Sequence, residues 1–184
     1  MGQLASAGQL RMVLLRRALI TVPLVVLLGS ASGLVSGSGD DLPWFAALAK
    51  PWFMPPGWVF PVGWTIFYTL QGLALALVWQ ARGTPGRGIA MAMFFVQLAL
   101  NLAWAPLFFG AHQVHAALWL IAALFVAALA TTILFGRIRR LAALLMLPYL
   151  AWLLFAFTLN YRIDVMNPDA DALAPAAPST QITL

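Results

Sequence analysis

The sequence contains no cysteine and no glutamate, and only 8% of its 184 residues are charged. Without cysteine there is no disulfide framework, no thiolate metal site, no cysteine nucleophile and no redox clue to compartment. Soluble domains carry about a quarter charged residues, so a chain this poor in charge is not built to face water. Apolar residues stand in their place, 63% of the chain with a mean hydropathy of +0.92. That composition identifies an integral membrane protein.

Five apolar stretches are long enough to cross a bilayer, at about 12–35, 59–81, 89–110, 114–135 and 141–163, each bounded by charged or Gly/Pro-containing segments. They use up most of the chain, so the expectation is one all-α membrane domain over 1–163, a five-transmembrane-helix bundle. The second, third and fourth connections are short, which favours sequential antiparallel neighbours. The first, about 36–58, is long and rich in aromatics and proline, and is expected to fold over the bundle as a lid rather than float in water. Residues 164–184, mostly Ala, Pro and Asp, read as a disordered tail.

The first span admits two readings. Arginines followed by ALITVPLVVLLGSASG resemble a signal peptide with a small-residue cleavage site. Its apolar run is longer than a usual signal core, and Gly29, Gly33 and Gly37 form a GxxxGxxxG series that suits close helix packing or, near a loop, turns. A retained helix is the reading adopted.

Charge orients the bundle. Arg11, Arg16, Arg17, Arg82, Arg87, Arg137, Arg139 and Arg140 fall on one side of a five-span topology, while Lys50, Arg162 and all five aspartates fall on the other. The positive-inside rule places the N-terminus in the cytoplasm and the lid and tail outside. The same arginines explain the net charge of +5 without any nucleic acid. Helical spans belong to a cytoplasmic membrane, here taken as bacterial, and not to an outer-membrane barrel.

Little in the spans is catalytic. None of these stretches holds Asp, Glu or Lys, so a proton relay or an ion-coupling carboxylate is not expected. No Ser/His/Asp arrangement is evident. His112 and His115 are too few for a closed zinc site and read as a wetted interfacial pair.

What the spans do carry is aromatic stripes with amides. At about 100° per residue, Phe60, Trp64, Phe67, Tyr68 and Gln71 fall within an arc of roughly 100°. Gln97, Asn101, Trp104 and Phe108 fall within roughly 60°, and Tyr149, Trp152, Ala156 and Asn160 within roughly 80°. Amides facing lipid are costly, so these faces should turn inward. They can act as interhelical glue and core, or as walls of an apolar pocket with a few orienting polar groups. Three stripes of the same make-up favour a pocket for a flat, conjugated, hydrophobic ligand.

The blocks WFAALAKPWFMPPGWVFPVGWTIFY (44–68), QLALNLAWAPLFFG (97–110) and PYLAWLLFAFTLNY (148–161) resemble the TspO/translocator protein family, also known as tryptophan-rich sensory proteins or peripheral-type benzodiazepine receptors. The resemblance covers about 20–163 and implies the same five-helix topology. It further implies a receptor or carrier for porphyrin-type tetrapyrroles and other hydrophobic ligands, with protoporphyrin IX or haem as the ligand; no required cofactor and no metal site is expected. Carried over by motif position, the pocket residues would be Trp64, Tyr68, Asn101, Trp104, Trp152, Ala156 and Asn160, with Trp44 and Phe45 in the lid. Some members are reported to degrade protoporphyrin under light, so a porphyrin-degrading enzyme is one alternative and a structural membrane scaffold another. Animal relatives carry a sterol-recognition segment at the end of the last span. Here LNYRIDVMN (159–167) keeps Leu159 and Tyr161 but has Val165 where a base is expected, which counts against sterol. Gly88, Ala92 and Ala99 on the third span suit a homodimer face, or packing within one bundle.

Overall fold

The computed structural model describes residues 7–39 and 42–172. Its helices are α1 (Ala7–Val35), α2 (Pro43–Ala47), α3 (Val59–Gln80), α4 (Arg87–Ala105), α5 (Val114–Ile138) and α6 (Arg140–Met166). All except α2 are long and apolar enough to cross a bilayer, giving the five spans read from the sequence. α5 and α6 outrun the expected boundaries: Arg137 lies in the last turn of α5, and Asp164 lies inside α6. A charge near an interface does not end a helix, because the backbone bonds continue while the side chain reaches toward water.

α3 lies along α1 on one side and α6 on the other, and α5 packs against α4 and α6. The α1–α3 contact depends on a missing side chain. A Cβ at Gly72 would stand 2.6 Å from the Val22 Cα, and Thr21 Oγ1 donates to the Gly72 carbonyl at 2.7 Å. The glycine series on α1 divides between its two expected roles. Gly29 lies flat against the Tyr68 ring, where any Cβ would overlap it, whereas Gly37 turns the chain out of the helix at φ 63°.

Proline reshapes the end of α4. Pro106 has no N–H to continue the ladder, and Pro106–Gly110 forms one π-helical turn closed by the Ala111 N–H on the Pro106 carbonyl at 2.8 Å. The turn carries Phe108 and Phe109 under Phe45 of the lid, with ring centroids 6.1 and 5.3 Å away.

The tail departs from expectation. α6 runs on to Met166, and Ala170–Ala172 forms a 3₁₀ turn against the lid and the start of α5. Composition argued against a packed tail because it offers little apolar area. The segment is held instead by hydrogen bonds to backbone groups that would otherwise be unpaired. The expected disorder of residues 173–184 lies outside the described residues.

Candidate ligand cavity

A cavity of about 690 Å³ lies between the lid, the last turns of α1, and the lid-side halves of α3, α4 and α6. All seven pocket residues expected from the sequence line it: Trp64, Tyr68, Asn101, Trp104, Trp152, Ala156 and Asn160. Of the two lid residues, Phe45 lines it. Trp44 sits behind, only 3% exposed, stacked on His112 at 4.4 Å and edge-on to Phe108 at 5.7 Å. It anchors the lid without forming part of the cavity wall.

The rings form a connected wall. Trp64 stacks on Tyr68 at 5.3 Å and meets Trp152 edge-on at 6.3 Å, and Trp152 meets Phe60 edge-on at 5.9 Å. On the facing side Trp104 stacks on Phe108 at 5.0 Å. Such offset and edge contacts hold each ring against its neighbours, so the wall is shaped before any ligand arrives.

The amides behave differently from one another. Asn101 accepts from the Tyr68 hydroxyl at 2.8 Å and donates to the Tyr149 hydroxyl at 3.1 Å, making a polar floor. Asn160 accepts from Trp104 Nε1 at 3.3 Å and donates to the Val114 carbonyl at 3.1 Å, tying α6 to α4 and α5. Gln71 and Gln97 lie on the stripes but not in the cavity. Fully buried, they bond to each other at 2.9 Å and join α3 to α4. Here the glue reading holds, and the stripes divide by depth. One wall residue keeps an unmet donor: Trp152 Nε1 is buried with no acceptor and sealed from the cavity as the rings stand.

Among the described residues no charged side chain lines the cavity. Its lining includes Ser30, Ser32, Gly33 and Ser38 of α1 and the turn that follows, which the stripes did not mark. Ser32 Oγ donates to the Leu102 carbonyl at 2.6 Å. The signal for them was the run GSASGLVSGSG (29–39), read only for packing and turns; small hydroxyl residues ending an apolar helix also leave room and polarity beside a cavity. The histidines have separate partners. His112 stacks on Trp44, while His115 Nδ1 pairs with Asp164 at 3.0 Å and its Nε2 accepts from Trp119 at 3.2 Å. Among the described residues no three potential ligands gather to hold a metal ion. Leu159 is buried under the lid and Tyr161 points outward, so the two remnants of the sterol segment lie on different faces.

The lid is held by one of its own side chains and by the tail that follows α6. Lys50 Nζ donates to the Phe45 carbonyl at 2.7 Å and lies 4.6 Å from the centre of the Phe45 ring, closing off α2. Asn167 takes both backbone groups of Ala49, accepting from its N–H at 2.8 Å and donating to its carbonyl at 2.9 Å. Trp44 Nε1 donates to the Ala170 carbonyl at 3.2 Å, and Asp171 accepts from the Val114 N–H at 2.8 Å.

The model of the TspO/MBR family matches residues 20–166. The Translocator protein of Homo sapiens is 43% identical over 127 residues, 68% of this chain and 75% of that protein. The Tryptophan-rich protein TspO of Chlorobaculum tepidum is 34% identical over 161 residues, 84% of this chain and 100% of that protein. The Tryptophan-rich sensory protein of Cereibacter sphaeroides is 38% identical over 132 residues, 70% of this chain and 82% of that protein. With the family model reaching from the middle of α1 to the end of α6, the chain belongs to the TspO/MBR family.

Proposed function

We propose that this multi-pass membrane protein is a receptor or carrier that binds porphyrin-type tetrapyrroles and other flat hydrophobic ligands in the cavity under the lid. The observation that carries this reading is the cavity of about 690 Å³ walled by Trp64, Trp104 and Trp152 and mainly by other apolar side chains. Its size falls in the range of small-molecule sites, and ring faces offer a conjugated macrocycle large contact area at low entropic cost. Asn101 and Asn160 are already engaged, so they set the shape of the floor and can turn a bond toward a ligand only by giving up a protein partner. Among the described residues the wall contributes no carboxylate, imidazole or amine as general acid, base or charged nucleophile. Binding, with release when the lid opens, is therefore the role favoured over degradation. The basic end of the bundle faces the cytoplasm and the lid faces out. Gly88, Ala92 and Ala99 are exposed on the outer face of α4 and suit a second copy of the chain.

Titrating the purified protein with protoporphyrin IX while following tryptophan fluorescence tests the reading. Saturable quenching is expected, and none at micromolar ligand would leave the scaffold alternative standing. Illuminating the complex separates carrier from enzyme: porphyrin absorbance bleaching no faster than in detergent alone fits binding, and markedly faster bleaching fits degradation.

A further inference from the structure

The end of the bundle opposite the lid gathers arginines, and none of the described carboxylates lies there to meet them. Arg17 comes from α1, Arg82 from the α3–α4 connection and Arg87 from the first position of α4. Arg17 and Arg87 meet at Trp79. The Arg17 guanidinium lies 5.4 Å from the indole centroid, and Arg87 Nη1 donates to the Trp79 carbonyl at 3.0 Å. Arg82 follows the last turn of α3, three residues after Trp79, at the same end of the bundle. The described carboxylates, Asp164, Asp169 and Asp171, all lie at the other end, in or after the last turn of α6.

Arg17 is the telling member. Its Nη1 is buried and has no hydrogen-bond partner, although a guanidinium carries five donors and such groups are rarely left unmet. Setting orientation does not require this arrangement. The positive-inside rule asks only that basic residues lie on one side, and Arg137, Arg139 and Arg140 at the same end already meet it. Drawing three arginines from separate elements together, one of them turned inward, makes sense when an anion completes the group. Planar guanidinium forks match the oxygens of a phosphate, and helix ends at a membrane interface lie at headgroup depth.

We propose that Arg17, Arg82 and Arg87 form a site for a phosphate-type anion, filled by the headgroup of an anionic phospholipid from the adjoining leaflet, with Trp79 as its flat wall. The site stands at the opposite end from the ligand cavity and does not depend on the function proposed for it. An occupying headgroup would neutralise the cluster and tie α1 to the α3–α4 connection.

Thermal unfolding in neutral detergent at fixed ionic strength tests this. Short-chain phosphatidylglycerol should raise the midpoint saturably, by about 5 °C near saturation, while phosphatidylcholine of the same chain length should not. Arg17→Gln should abolish the rise. Arg82→Gln, at an exposed position that leaves folding intact, should weaken the apparent affinity about tenfold, and the triple change Arg137→Gln, Arg139→Gln, Arg140→Gln should leave it unchanged. An equal rise with phosphatidylcholine, or a rise lost in the triple variant but kept in Arg82→Gln, would overturn the site. A full rise with inorganic phosphate alone would support the anion site and overturn the assignment of a lipid as its occupant.

Discussion

Residues of one chemical type do different work here according to depth. Gln71 and Gln97 share helical faces with the pocket residues, yet they lie below the cavity and satisfy only half of each other: Gln71 Nε2 and Gln97 Oε1 remain buried without partners. Removing one glutamine strands the remaining polar group, whereas removing both takes away the whole demand. Gln97→Leu should therefore destabilise by about 1–3 kcal/mol, and Gln71→Leu with Gln97→Leu should recover most of that loss in thermal or denaturant unfolding. A double variant as unstable as the sum of the singles would contradict the pairing. Facing stripes were legible from periodicity because an amide in lipid is costly. Which amides meet the ligand space was not, because angle around a helix says nothing about depth along it. The side taken by the Trp44 ring was illegible for a related reason: a motif marks a lid residue without telling which side of the lid its ring takes.

At the scale of elements, the five spanning helices were legible because apolar length is set by bilayer thickness. The lid and tail were read more coarsely. The lid holds a short helix, α2, and the tail a 3₁₀ turn, both too short for periodicity to reveal and both fixed by contacts between distant residues. Asn167 engages the backbone of Ala49 at 118 residues' separation, a pairing no local pattern encodes. This clasp gives the lid a specific release point. Asn167→Ala should speed hydrogen exchange across residues 42–54 several-fold while leaving the centres of α3 and α5 protected. Unchanged lid exchange would show that the aromatic contacts of Trp44 and Phe45 hold the lid by themselves. The lid also shows how one aromatic stretch serves two settings. Trp52 is 96% exposed and Trp58 67% exposed, while Phe53 packs edge-on toward Phe155 at 6.3 Å. The exposed tryptophans suit the interfacial belt, and the inward ring closes the roof.

For the whole molecule, the division is between a basic end and a lid end, and the absence of native cysteine makes that division easy to probe. Trp52→Cys should react with a membrane-impermeant maleimide on intact cells, and Arg139→Cys only after permeabilisation. The reverse pattern would invert the topology. In native membranes Ala99→Cys should give a disulfide-linked dimer on oxidation if the outer face of α4 meets a second copy, and exclusively monomer would count against that face.

The central claim is that a flat ligand binds against the tryptophans under the lid, and a comparison of two variants tests it most directly. Protoporphyrin IX affinity should be measured by fluorescence quenching for Trp152→Leu, in the cavity wall, and for Trp119→Phe, which is 66% exposed and outside the cavity. Losing one ring of the wall should weaken binding about tenfold or more, while Trp119→Phe should bind as the unaltered protein does. Equal affinity in the two variants would place the ligand elsewhere and contradict the account.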